Sequence, residues 1–379
     1  MDKIKFFSIK GVFVKVLPLI ALLIFSFGEI FTGTIYIILG FVLIIPFSVY
    51  FLNRCGVNKD LASFVLLVFL GSLFNLLVTK NGFGGTLLFL TNVALALYCL
   101  INIRIIKYVA LMVLCYNLLF LYNKLFIEMV NPNYIYENIG LSRNHPGMLL
   151  LLWSCFWGFT KYVTEKRVSI VLPILSCVLA FFLEGRSSLG ILLFLSVISL
   201  CVMNRKSLFL IPILGLGLVF LYWDVIQELY MLTSFAENSL ESSRYKIWSA
   251  YFEALTPISF LGGLDVSNVP LIRSYGNNPH NALLNFHYRM GLLGVIALTV
   301  LAIKSIRNYI RRSDYILLMY MSCVIVRFMF DACINTSYDF ILYTMLLYPI
   351  LLKKGKYDGG YRQKDLSHNN ILAKLWGII

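Results

Sequence analysis

Asn278-Pro279-His280-Asn281-Ala282-Leu283-Leu284-Asn285-Phe286-His287-Tyr288-Arg289-Met290-Gly291-Leu292-Leu293-Gly294 joins a polar cluster to the mouth of an apolar run that continues to about residue 303. Two His, three Asn, a Tyr and an Arg stand where a bilayer-crossing helix would open. Polar groups at such depth are expensive in hydrocarbon, so they face a protein interior or a wet cavity and mark function. Pro279 predicts a helix start. On such a helix His280 and His287 share one face, and Asn281, Asn285 and Tyr288 form a neighbouring stripe. Gly291 and Gly294 leave room for another helix to approach closely.

The rest of the chain has the composition of a membrane protein. Hydrophobic residues make up 60% and charged residues only 13%, with a mean hydropathy of +0.83. These values exclude a soluble globule and imply an all-α polytopic membrane protein. The formal charge of +14 would suit nucleic acid, but the Lys and Arg fall mostly in short loops between apolar runs, where they orient helices. No nucleic-acid partner is expected. The eight Cys are scattered with no CxxC pair, which fits neither a zinc site nor a disulfide framework. Lys3, Lys5 and Lys10 before an apolar run from Gly11 resemble a signal peptide. No small-x-small cleavage site follows, so an uncleaved first helix is expected.

About twelve transmembrane helices are expected from the apolar runs, several of them shorter than the ~20 residues that cross an untilted core. They lie near 11–27, 34–52, 61–79, 87–101, 108–127, 147–163, 168–184, 188–203, 208–224, 283–303, 315–330 and 338–352. Placing the N-terminus in the cytoplasm puts most of the 32 basic residues inside, among them Arg54, Lys59, Arg104, Lys107, Lys304 and Arg307. The outside loops then hold Lys80, Arg143, Arg186, Arg244, Lys246 and Arg273. Both termini are therefore expected to be cytoplasmic. The domain reading is a transmembrane domain over 1–352, with a long periplasmic loop at about 225–282, and a cytoplasmic tail over 353–379. The tail's end, Ile371 to Trp376, reads as a surface-lying anchor. A second outer loop, about 128–146, contains Arg143 and His145. Within the long loop, Ser242 to Leu255 reads as an amphipathic helix with Tyr245, Trp248 and Phe252 on one face. Leu261-Gly262-Gly263-Leu264 then breaks the chain.

Three polar clusters carry candidate chemistry. The first is Glu184-Gly185-Arg186-Ser187-Ser188. A guanidinium donates two parallel bonds to phosphate oxygens, although a helix-end Arg also snorkels to headgroups or pairs with an adjacent Glu. The second is Ser242-Ser243-Arg244-Tyr245-Lys246, which suits a pyrophosphate or an anionic lipid, or is simply a solvated helix face. The third is His280 flanked by Asn277, Asn278 and Asn281. An imidazole exchanges a proton near neutral pH, which suits general base work; the alternative is a His that only caps a helix. Arg289 and Arg327 lie inside apparent spans, and Arg327 stands four residues from Asp331 with the spacing of an ordinary helical ion pair. No HExxH, DxD, P-loop or nucleophile elbow is present, so neither a metal nor a cofactor is expected.

These clusters resemble the O-antigen polymerase (Wzy) and O-antigen ligase superfamily of bacterial inner membranes. The likeness rests on Gly185-Arg186-Ser187-Ser188-Leu189-Gly190, on Ser243-Arg244-Tyr245-Lys246-Ile247-Trp248 followed by Leu261-Gly262-Gly263-Leu264, and on Pro279-His280-Asn281-Ala282-Leu283-Leu284. Ten residues lie between His280 and Gly291, similar to the His-x10-Gly pattern of such polymerases. No matching Arg-x10-Gly pair stands around Arg186 or Arg244. The stretch covered is about 182–294.

The resemblance implies metal-independent glycosyl transfer at the periplasmic face. Donor and acceptor are oligosaccharides linked to undecaprenyl pyrophosphate, and a chain-length regulator protein is a possible partner beside the membrane lipids. His280, Arg244 and Arg186 are the implied catalytic residues, the imidazole receiving the acceptor proton and the guanidiniums meeting leaving-group charge. Asn281, Tyr245, Trp248, Lys246, Arg289 and Arg143 are the candidate substrate-binding residues. Two other readings stand beside the polymerase. An O-antigen ligase would transfer finished glycan to lipid A–core. A lipid-linked oligosaccharide transporter would favour ionisable groups near the midplane.

Overall fold

The computed structural model of the chain describes residues 9–31, 35–55, 58–79, 84–135, 144–183, 186–203, 243–329 and 337–351, and all the regular elements among them are helical. In chain order these are α1 (Ile9–Phe31), α2 (Ile35–Ile44), α3 (Ser48–Cys55), α4 (Lys59–Thr79), α5 (Gly84–Ile101) and α6 (Ile103–Tyr122). Then come α7 (His145–Glu165), α8 (Val171–Phe182) and α9 (Arg186–Met203). The loop helices are α10 (Ser243–Glu253), α11 (Pro257–Gly262) and α12 (Pro270–Ser274), followed by α13 (Ala282–Arg312), α14 (Tyr315–Met329) and α15 (Asp339–Leu351).

The apolar runs and the helices coincide closely. The run at 61–79 is α4, that at 147–163 is α7, and that at 108–127 is α6 with a short π-helical continuation, Asn123–Ile127. Among the described residues, four helical segments are long and apolar enough to cross a membrane: Lys59–Thr79, Gly84–Ile101, Ile103–Ile127 and Ala282–Arg312. The other apolar helices are shorter, α8, α14 and α15 among them. The expected span at 208–224 and the tail at 353–379 lie outside the described residues.

The described chain falls into two compact units. The first contains α1–α5, the end of α10, α11, α12, α13 as far as Asn308, and α15. Helix α5 is largely apolar with no continuous polar face, and its residues from Leu88 to Leu100 are almost all buried. A helix of that pattern belongs in the middle of a bundle, and α1, α2, α3 and α15 pack around it. Asn92 on α5 accepts the Phe340 N–H at 2.9 Å, so a side chain from a neighbour satisfies one of the donors left open at the start of α15.

Helices α4 and α13 run antiparallel. Lys304 pairs with Asp60 at 2.7 Å. Further along, Gly71 faces the backbone of Met290 and Gly294, and Asn75 reaches Tyr288. The partner's number falls as that on α4 rises. The Asp60–Lys304 pair also joins two stretches that the charge pattern assigns to one side of the membrane. Ser305 ties α13 to α15 through the Leu346 carbonyl at 2.6 Å.

The second unit holds α6–α9, the beginning of α10, and α14. Helix α7 is its centre, buried without interruption from Pro146 to Thr160, and packs on α8, α9 and α14. Ser154 and Ser176 share a hydrogen bond of 2.8 Å between α7 and α8. Lys107 and Glu165 close one end with an ion pair at 2.5 Å.

Candidate functional site

The polar stretch that opened the sequence reading folds differently from the continuous helix that Pro279 predicted. Helix α13 begins at Ala282, three residues later. The side chain of Asn281 accepts from the Leu283 and Leu284 amides at 2.9 and 3.2 Å. It therefore performs the N-cap role for which Asn is preferred. His280 stands just outside the helix at φ +48°. The helical relation expected between His280 and His287 accordingly does not exist. Its own amide donates to Asn278 Oδ1 at 2.8 Å, and its ring meets Tyr275 edge-on at 5.9 Å. A left-handed backbone is uncommon for a residue with a Cβ, and such strain gathers at functional sites. The effect is to hold a half-buried imidazole at the mouth of α13.

Below His280 the helix is broken. Gly291 has φ +64° and ψ −175°, a conformation essentially restricted to glycine. The Leu261–Gly262 backbone lies against the break, and a Cβ on Gly291 would stand 2.8 Å from the Leu261 carbonyl oxygen. A break releases carbonyls from the i to i+4 ladder. The Tyr288 carbonyl is met from α4, where the Asn75 amide donates to it at 2.7 Å and to the Gly262 carbonyl at 2.6 Å.

His287 completes this junction. Its Nε2 lies 2.8 Å from the Phe260 carbonyl oxygen and its Nδ1 lies 2.6 Å from the Tyr251 hydroxyl. A carbonyl only accepts, so Nε2 carries a proton and Nδ1 receives the Tyr251 O–H. Burial, and then the neighbouring Tyr288, push the Tyr251 phenol well above its ordinary range, so Tyr251 keeps its proton. Both ring nitrogens are engaged. His287 is a clamp that binds α10 and α11 to α13, not an open base.

Helix α10 turns Ile247 and Tyr251 inward, a side the aromatic pattern did not name. Ile247 and Tyr251 are fully buried, whereas Tyr245 and Phe252 are exposed and Trp248 is half-buried. The face that carries Tyr245 and Phe252 is open. Arg244 is half-buried and Lys246 exposed on the same two turns.

His280, Asn281 and Arg289 thus lie within one short segment of the first unit. Arg289 Nε donates to the Tyr288 hydroxyl at 2.6 Å, with its guanidinium over that ring. Arg244, Tyr245, Lys246 and Trp248 share the opening of α10, in the second unit. Arg186 begins α9, and its side chain, like the whole of Arg143, Glu184, Gly185 and Asp331, lies outside the described residues. Arg327 is fully buried in α14. Sequence reasoning missed Asn75 and Tyr251 and gave His287 no partner. A lone amide inside the apolar run at 61–79 was the available signal for Asn75. Among the described residues no group of three His, Cys, Asp or Glu gathers where a metal ion would be held.

Compared with known proteins, the chain matches no protein-family model and no curated sequence.

Proposed function

We propose that this chain is a surface-polysaccharide polymerase of the bacterial inner membrane. It transfers the growing glycan from undecaprenyl pyrophosphate onto a new lipid-linked repeat unit at the periplasmic face. The observation that carries the reading is His280: an imidazole in a left-handed turn, braced by Asn278 and Tyr275, at the head of a helix apolar enough to cross a bilayer. The resemblance of the Arg186, Arg244 and His280 segments to the polymerase and ligase superfamily supplies the reaction class.

The step balances without a cofactor. The acceptor hydroxyl attacks the anomeric carbon as the bond from that carbon to the pyrophosphate oxygen breaks. The hydroxyl proton passes to His280 and the leaving pyrophosphate keeps the bonding electrons; the resemblance gives the meeting of that charge to Arg186 and Arg244. Lys246 and Arg289 add positive charge, Arg143 would do so from the other outer loop, and Asn281, Tyr245 and Trp248 offer hydrogen bonds and stacking faces for the sugars. A chain-length regulator would act on this enzyme from the same face.

One gel tests the assignment. Lipopolysaccharide from a deletion strain should show core bearing a single repeat, and the wild-type gene should restore long chains. His280→Ala and Arg244→Ala proteins, present at wild-type level, should restore none. Core without any repeat, with polymer accumulating on the carrier lipid, would identify a ligase. Core without repeat and without periplasmic polymer would identify a transporter. Long chains from the His280→Ala strain would remove the base role.

A further inference from the structure

Helix α11 is dressed the wrong way round for a loop in water. Its sequence, Pro257-Ile258-Ser259-Phe260-Leu261-Gly262, offers three large apolar side chains, which a water-facing element would turn toward the protein. Ser259 and Gly262 are the buried positions instead, and Ile258, Phe260 and Leu261 are 64%, 49% and 51% exposed. The helix lies on the last turns of α4. A Cβ on Gly262 would stand 2.6 Å from the Val78 side chain and 3.3 Å from Phe74, so the approach is as close as glycine allows. The adjoining side chains of α4 are open as well, with Phe74 39% and Leu77 79% exposed. Helix α4 is one of the segments long and apolar enough to cross a membrane. The outward face of α11 continues the exposed apolar surface of that helix.

The polar groups of α11 are handled as a bilayer requires. In hydrocarbon the open amides and carbonyls at helix ends have no water to meet them, so protein must do so. At the start, Pro257 has no N–H, and Thr256 and Ser259 satisfy each other's amides at 3.2 and 2.8 Å. At the end, the Ser259 carbonyl accepts from Gly263 at 2.8 Å, Phe260 from His287 at 2.8 Å, and Gly262 from Asn75 at 2.6 Å. A loop in water needs neither a buried imidazole nor a buried amide for this purpose. Farther along, Ser267, Asn268 and Arg273 are exposed and polar, so the chain has returned to water there.

We propose that α11 is a re-entrant element seated among lipid acyl chains, in the leaflet that surrounds the Thr79 end of α4. It packs against the stretch from Phe74 to Val78, so it lies within roughly 8 Å of that helix end at 1.5 Å per residue. This is an interfacial depth. His287 and Asn75 act as its C-terminal caps, supplied from two other helices.

Nitroxide scanning of the full chain in phosphatidylethanolamine–phosphatidylglycerol nanodiscs tests this, in a background with the native Cys replaced by Ala. Spin labels at Ile258→Cys and Leu261→Cys should relax with oxygen and resist a water-soluble nickel chelate, matching Leu77→Cys and reversing Asn268→Cys. Labels that follow Asn268→Cys would overturn the proposal. So would labels shielded from both reagents, because α11 would then be covered by protein, as in a second copy of the chain. The unsubstituted protein provides an independent reading. A bilayer-soluble diazirine should label 257–262 as heavily as 70–77, and absence of label from 257–262 would refute acyl-chain contact.

Discussion

The Tyr251 hydroxyl lies 2.6 Å from Nδ1 of His287, and this bond sets the tautomer of a buried imidazole whose other nitrogen is committed to the Phe260 carbonyl. The two residues are a positioning pair. Tyr251→Phe leaves the ring shape and removes the proton that Nδ1 receives, so a loss of about 1–3 kcal/mol is expected. His287→Leu strands both the Phe260 carbonyl and the Tyr251 hydroxyl and should cost more. The double variant should lose less than the two single losses added, as coupled neighbours do. Thermal unfolding in detergent measures all three.

Asn75 makes a sharper prediction. Both of its amide protons point at carbonyl oxygens, those of Gly262 and Tyr288. Asn75→Ala leaves two buried acceptors unmet, about 1–3 kcal/mol each. Asn75→Asp is nearly isosteric, but an ionised carboxylate donates nothing and would face two oxygens. It should be the less stable of the two, an order opposite to that expected from size. Equal melting temperatures for the Ala and Asp proteins would mean that Asn75 does not donate as described.

The break in α13 should tolerate no side chain. Gly291→Ala combines a glycine-restricted backbone conformation with a Cβ placed 2.8 Å from the Leu261 carbonyl. Backbone strain of that kind costs of order 1–3 kcal/mol before the contact is counted. Gly71→Ala drives a Cβ toward the Met290 carbonyl, 2.3 Å away. Gly84 and Gly190 meet nothing within 4 Å. Their replacement by Ala, at helical positions, should be neutral or stabilising by up to about 1 kcal/mol. Detergent melting curves of the four variants check the contrast.

Glu165 provides a pH test. Its hydrogen bond and charge pairing with Lys107 hold its carboxyl below the usual range. A depressed folded-state value means that the pair contributes above the pKa of the unfolded chain. That contribution is lost as pH falls through the lower, folded value. Both side chains are partly exposed, so the effect is small. Glu165→Gln should lower stability slightly at neutral pH and not at strongly acid pH. A difference that grew on acidification would contradict the pairing.

Hydrophobic run length located the long apolar helices among the described residues. A stretch such as Leu88 to Leu100, apolar but for Thr91, Asn92 and Tyr98, has no continuous polar side to show to water, and its backbone must pair internally, so it reads as a helix buried in protein or lipid. The grouping of His280 with Asn278 and Asn281 was legible for the same reason, since polar residues at the end of an apolar run stand out. Their roles were not legible. His280 left the helix because Asn281, not Pro279, capped it. The buried side of α10 was fixed by Tyr251 finding His287, 36 residues away. Local pattern reports which residues avoid water. Which donor meets which acceptor depends on segments distant in sequence arriving together: Leu261–Gly262 lies against the break at Gly291, and Asn75 meets the Tyr288 carbonyl beside it. Tertiary structure alone decided that.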